Sequence, residues 1–176
     1  NFTTNAGDVN VNAPVTTKWM VLAAGRDVQI NGAANTQSNI HITAGRDAVS
    51  TGALDVAEGA MTITAGRDAT LAKLASHAGD VTVTAKDNAT LNGAVSAKGV
   101  EVTAAEGDVV VNGAVEGSNV AIEATAGNVK ATSDITATVT DVKIKAGRDA
   151  ELAKLTANGL GVVDVVAKNN ATLNGE

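Results

Sequence analysis

One side-chain position returns along this chain at an almost constant interval. Asp8, Asp27, Asp47, Asp68, Asn88, Asp108, Asn128, Asp149 and Asn170 follow one another at spacings of 19 to 21 residues. Four of these close the tetrapeptide Ala-Gly-Arg-Asp, at 24–27, 44–47, 65–68 and 146–149. A period near 20 residues is the mark of a solenoid, whose repeats bury their apolar faces only against their neighbours.

The kind of apolar residue agrees with stacked coils rather than a broad globular interior. The chain is 44% hydrophobic yet holds one Phe, one Trp and no Tyr among 176 residues. A thin core of Ala, Val, Leu and Ile suits narrow coils, whereas a wide core draws on aromatics. A net charge of -6 offers no basic stripe for nucleic acid. With no Cys, there is neither a disulfide framework nor a thiolate metal site. The longest apolar run, Trp19 to Ala24, falls far short of a membrane span of about 20 residues. No charged segment followed by an apolar one opens the chain, so residues 1–176 are expected to be a single internal fragment of a longer protein.

Counting from each Asp or Asn gives the strands. Seven and five positions before it lie pairs such as Met20 and Leu22, Ile40 and Ile42, Met61 and Ile63, with mostly polar residues between. One and three positions after it come pairs such as Val28 and Ile30, Ala69 and Leu71, Val109 and Val111. Both are period-2 alternations, the pattern of strands with one buried face. Asn31-Gly32, Asn92-Gly93, Asn112-Gly113 and Asn174-Gly175 then mark a second corner. Asn and Gly tolerate left-handed backbone, which leads to the expectation of such geometry there. Leu54 and Val56, or Ile135 and Ala137, supply a weaker third strand before another turn. The predicted fold is an all-β parallel solenoid of about nine coils, each with three short strands and three corners.

Leu71-Ala72-Lys73-Leu74 and Leu152-Ala153-Lys154-Leu155 contain good helix formers, but they are too short to nucleate a helix. They are read as corners in which Lys replaces Gly. Residues 65–74 match 146–155, and 85–93 match 167–175, so about 81 residues form a larger duplicated unit.

In a parallel stack the recurring Asp and Asn form a ladder along the rod. Neighbouring carboxylates would repel by roughly 1 kcal/mol per pair even in bulk water. The Arg before each tetrapeptide Asp is expected to pair along or across coils, and the Asp or Asn oxygen to accept a corner amide in an Asx turn. Exchange of Asp for Asn in three of nine copies argues for a structural corner and against a catalytic or metal-binding carboxylate.

The AGRD corner, its Ile-Thr-Ala lead-in, the ATLNGAV that follows and the period near 20 together resemble the shaft repeats of filamentous-haemagglutinin-like exoproteins of Gram-negative two-partner secretion. That resemblance covers nearly the whole chain. It implies a right-handed parallel β-helix, export through an outer-membrane transporter of the Omp85 type, and location outside the cell or on its surface. It also implies a role in adhesion or contact-dependent growth inhibition, with a host or target-cell receptor. The family's secretion domain carries Asn-Pro-Asn motifs; here the single Pro is Pro14, in Ala-Pro-Val, and that domain is not matched.

Smaller signals are weighed against plain structural roles. The order Gly-Arg-Asp is not the integrin-binding Arg-Gly-Asp. Sequons stand at Asn1, Asn88 and Asn170, where a corner Asn before a strand Thr is expected in any case. His41 and His77 are expected at the surface, without metal partners. Trp19 is placed facing outward and expected to pack under an irregular first coil, with partner contact as the alternative. No enzyme activity and no cofactor are expected. A carbohydrate-active β-helix and an ice-binding solenoid are the competing readings; the Thr62–Thr64 and Thr82–Thr84 rows of the latter are flanked by His41 and Glu101. Uncapped end coils lead to an expectation of end-to-end self-association.

Overall fold

The computed structural model describes residues 1–175. Every described strand pairing is parallel, and no helix occurs among the described residues. The chain is a β-solenoid of about nine turns. Each turn places three strand segments on three sides, and each segment pairs with its copies above and below.

The lead-in side is built from five-residue strands such as Met20–Ala24, Ile40–Ala44 and Met61–Ala65. Their register sets Met20, Ile40, Met61 and Val81 in one column and Leu22, Ile42, Ile63 and Val83 in the next. All eight are buried. The second side is a nine-stranded sheet of three-residue strands, from Val9–Val11 to Ala171–Leu173. Burying one such aliphatic side chain stabilises the fold by about 1.5–3 kcal/mol. The two aromatics take no part, since Phe2 and Trp19 are 57% and 49% exposed. Between lead-in strand and corner sits an Ala column, with Ala44, Ala65, Ala85 and Ala104 all buried at the vertex. This explains the first letter of the tetrapeptide: a small side chain fits the inside of the bend.

The third side is as well buried as the others, contrary to its expected weakness: Leu54, Val56, Leu74 and Ile135 are fully enclosed. In two turns its corner disappears. Val95–Ala104 and Val115–Ala124 are unbroken ten-residue strands that run from the third side into the next lead-in side. They join those two sides into one 15-stranded sheet. Where this corner exists it carries most of the length variation, from Lys18 and Trp19 between Val15–Thr17 and Met20–Ala24 to the five residues 158–162.

Two further expectations change. Among the described residues no non-glycine has positive φ, and of the glycines only Gly159 does, at 69°. The glycines of that corner are required by closeness instead: a Cβ on Gly32 would fall on the carbonyl of Ala13, and one on Gly113 on that of Gly93. Stacked coils bring backbone along the axis into the space a side chain would need. Lys73, for its part, does not simply replace Gly. Leu71 and Leu74 enclose two corner residues where Leu91 and Val95 enclose three, so the Lys corner is one residue shorter.

Candidate functional site

The nine Asp and Asn residues do form one ladder. At each of its eight steps the backbone N–H of a ladder residue donates to Oδ1 of its counterpart in the preceding coil, at 2.7 to 3.3 Å. The expected Asx turn is thereby corrected, because the amide comes from the next coil and not from the same one. Asp and Asn are interchangeable here because both offer Oδ1.

What decides between them is the remaining atom of the side chain. Where Asp follows Asp, an Arg precedes the later one and reaches back: Arg26 to Asp8, Arg46 to Asp27 and Arg67 to Asp47. Each contact is a fork, as in Arg26, whose Nε and Nη2 hold Oδ1 and Oδ2 of Asp8 at 3.1 and 2.8 Å. Where Asn follows Asp there is no Arg, and the Asn amide donates instead. Asn88, Asn128 and Asn170 give Nδ2 to Asp68, Asp108 and Asp149 at 2.9, 3.1 and 2.8 Å. Every Asp below another ladder residue thus receives a donor side chain from the coil above. Arg148 agrees from the other side: the ladder residue one coil below, where it would reach, is Asn128, and it forms no ion pair among the described residues.

The charges respond accordingly. The Arg26 guanidinium hydrogen-bonded to Asp8 holds that carboxyl below its ordinary range, and Arg46 does the same to Asp27. Arg26, Arg46 and Arg67 are each raised by the carboxylate they hold. The Arg side chains remain about half exposed, so solvent screens the pairs. Their role is to make a column of acids tolerable in register.

The second and third corners hold smaller ladders that the sequence reading did not isolate. Asn31 donates Nδ2 to Oδ1 of Asn12, and Asn112 to that of Asn92. Asn39 and Asp141 accept the amides of Ala60 and Val162 at 2.8 and 3.0 Å. The recurrence of Asn at the repeat period was their only signal.

The other sequence candidates are dispersed. Trp19 stands on the third corner, half exposed and outside the core; its carbonyl accepts a long hydrogen bond from Thr17. Of the three sequons, Asn88 and Asn170 have Nδ2 engaged in the ladder, so a glycan there would displace a ladder bond. His41 is exposed beside Thr43, and His77 lies against Asp55 at 3.2 Å. No group of three acidic, His or Cys side chains able to hold a metal occurs among the described residues. The surface hollows are shallow, such as the notch at Gly99 between Asp80 and Asn119.

Fold and ladder together define a parallel β-solenoid with matched polar corners. No family model, curated protein or solved structure matches the chain.

Proposed function

We propose that this chain is a shaft segment of a large secreted bacterial exoprotein of the filamentous-haemagglutinin type, a stiff spacer carrying an adhesive or toxic tip away from a cell surface. The observation that supports this reading best is the continuous parallel pairing from coil to coil, with no corner longer than five residues among the described residues. At about 4.8 Å per coil, nine coils give a rod on the order of 40 Å. Export through an Omp85-type transporter and engagement of a host or target-cell receptor belong to the same proposal.

The short corners weigh against a carbohydrate-active enzyme, which needs loops to build a cleft. An ice-binding face is disfavoured by the column Thr43, Thr64, Thr84, Thr103, which ends in Glu123 and Lys145. End-to-end self-association, strand edge to strand edge, belongs to the shaft proposal. Sedimentation across a concentration series checks that point, and a concentration-independent monomer overturns it.

The principal experiment expresses the complete reading frame with and without a neighbouring transporter gene. The protein is expected in the medium or on the cell surface only when the transporter is present. Retention inside the cell in both strains overturns the reading.

A further inference from the structure

Asn-Gly pairs stand at 31–32, 92–93, 112–113, 158–159 and 174–175. In such a pair the backbone nitrogen of Gly can attack the Asn side-chain amide with little obstruction, because Gly carries no Cβ. Two freedoms are required: the Asn side chain must swing toward its own backbone, and the Gly N–H must be free to lose its proton. Most corners of the solenoid deny one or both.

At 31–32, Asn31 Nδ2 is tied to Asn12 at 2.8 Å and the Gly32 N–H donates to the Val11 carbonyl at 3.2 Å. At 112–113, Asn112 Nδ2 is tied to Asn92 at 2.9 Å and the Gly113 N–H donates to the Leu91 carbonyl at 3.3 Å. Asn92 keeps one tie, as the acceptor of Asn112. Asn174 and Asn158 keep neither among the described residues, and of the two Asn158 is the one whose loop has described strands on both sides. It is exposed, its side chain has no hydrogen-bond partner among the described residues, and the Gly159 N–H has no acceptor there. The loop it opens is the longest corner of the array; Gly159 has φ of 69° and Leu160 is fully exposed. The Asn158 backbone, by contrast, is fixed, its N–H donating to Ala137 at 2.9 Å and its carbonyl accepting from Gly161 at 3.2 Å.

We infer that Asn158 is a site of spontaneous deamidation in the folded protein. The Gly159 nitrogen gives its proton to solvent and bonds to Cγ of Asn158. The Cγ–Nδ2 bond breaks, and the nitrogen takes up a proton and leaves as ammonia, closing a succinimide. Water then opens the ring at either carbonyl, leaving an aspartyl or an isoaspartyl residue; water is the only reagent consumed. The product adds a negative charge to the corner where Asp141 already holds the Val162 amide. Its isoaspartyl form lengthens the backbone by one atom in the longest corner among the described residues. The result is a slow, irreversible change that needs no enzyme and no other part of the shaft.

Incubation of the native chain at mildly alkaline pH, followed by proteolysis and mass spectrometry, tests the site. The peptide containing Asn158 is expected to gain one mass unit at least about tenfold faster than those containing Asn31 or Asn112, which react only after local opening of their ladders. In denaturant the lead is expected to collapse, since all these pairs then share the same chemistry. Asn158→Gln is expected to abolish the change, because an extra methylene disfavours ring closure. Equal rates at Asn158, Asn31 and Asn112 in the native chain overturn the inference, as does a lead that persists unchanged in denaturant.

Discussion

Arg46 reaches back one coil to grip Asp27 through both carboxylate oxygens, Nε to Oδ1 at 3.0 Å and Nη2 to Oδ2 at 2.5 Å. Because Asp47 stands directly above Asp27 in the ladder, this cation sits where two acids would otherwise face each other. Arg46→Ala is therefore expected to lower Tm by a few degrees or so at low salt, and Arg148→Ala, which removes no ion pair, to leave it unchanged. Adding Asp27→Asn to Arg46→Ala should recover most of the loss, since one of the facing charges is gone. Thermal unfolding of the variants at two salt concentrations checks all three outcomes.

The reverse experiment breaks the Asn rule. Asn88→Asp removes the Nδ2 donor to Asp68 and sets a new carboxylate above Asp68 with Asp87, not Arg, before it; the only Arg near Asp68 among the described residues is Arg67, already holding Asp47. A cost on the order of 1 kcal/mol is expected at neutral pH. Like charges raise a carboxyl pKa, so this cost is present when the group is ionised and fades as acid protonates it. Tm differences from the parent measured at pH 7 and at pH 3 check the sign.

Acid acts in the opposite direction on the native ladder. Asp8 and Asp27 have carboxyls held below their ordinary range by hydrogen-bonded Arg. A depressed carboxyl contributes stability that is complete above its unfolded value, about 4, and is lost as pH falls through the lower folded value. Stability is expected to be insensitive to these two groups above pH 5 or so and to decline below about 4. Chemical denaturation across that range checks it, with a shallower decline expected for Arg46→Ala.

Core truncation should behave as in any stacked array. Ile63 is fully buried on a central lead-in strand, and Ile63→Ala is expected to cost about 2–5 kcal/mol. Because coils contact only their neighbours, its effect should spread less far than in a globular domain, and hydrogen exchange should show lost protection centred on the adjoining coils.

Trp19 separates stability from recognition. With about half its surface exposed, Trp19→Ala is expected to leave Tm nearly in place. Lost binding to cells alongside unchanged stability would assign it to a partner surface; a marked fall in Tm would return it to a packing role.

Much of this arrangement could be read from periodicity. Counting from Asp68 assigned Met61 and Ile63 to the interior and set Thr62 beside His41, as the register has it. Period-2 alternation survives stacking because burial itself imposes it. The origin of the corner hydrogen bonds was hidden, since a sequence does not say whether Asp27 Oδ1 takes an amide from its own coil or from Asp47 in the next. The uninterrupted strand through Gly99 was hidden for a related reason: Gly signals a bend, but here it leaves space beside Asp80 and Asn119 in extended chain. Arg46 and Arg148 look alike as letters and differ only through the residue one coil below.

The corner bonds also have a direction. From Asp27 on Asp8 to Asn170 on Asp149, each donor belongs to the later coil and each acceptor to the earlier one. The side chains of the uppermost ladder residue therefore offer acceptors to the coil that follows, while the strand beginning beside it offers donors, as Val9 N–H does to the Asp27 carbonyl at 2.8 Å and Val28 N–H to that of Asp47 at 2.9 Å. Each coil thus presents the one after it with a complete set of partners, side-chain acceptors at the corner and backbone donors beside them, so that one storey is a mould for the next.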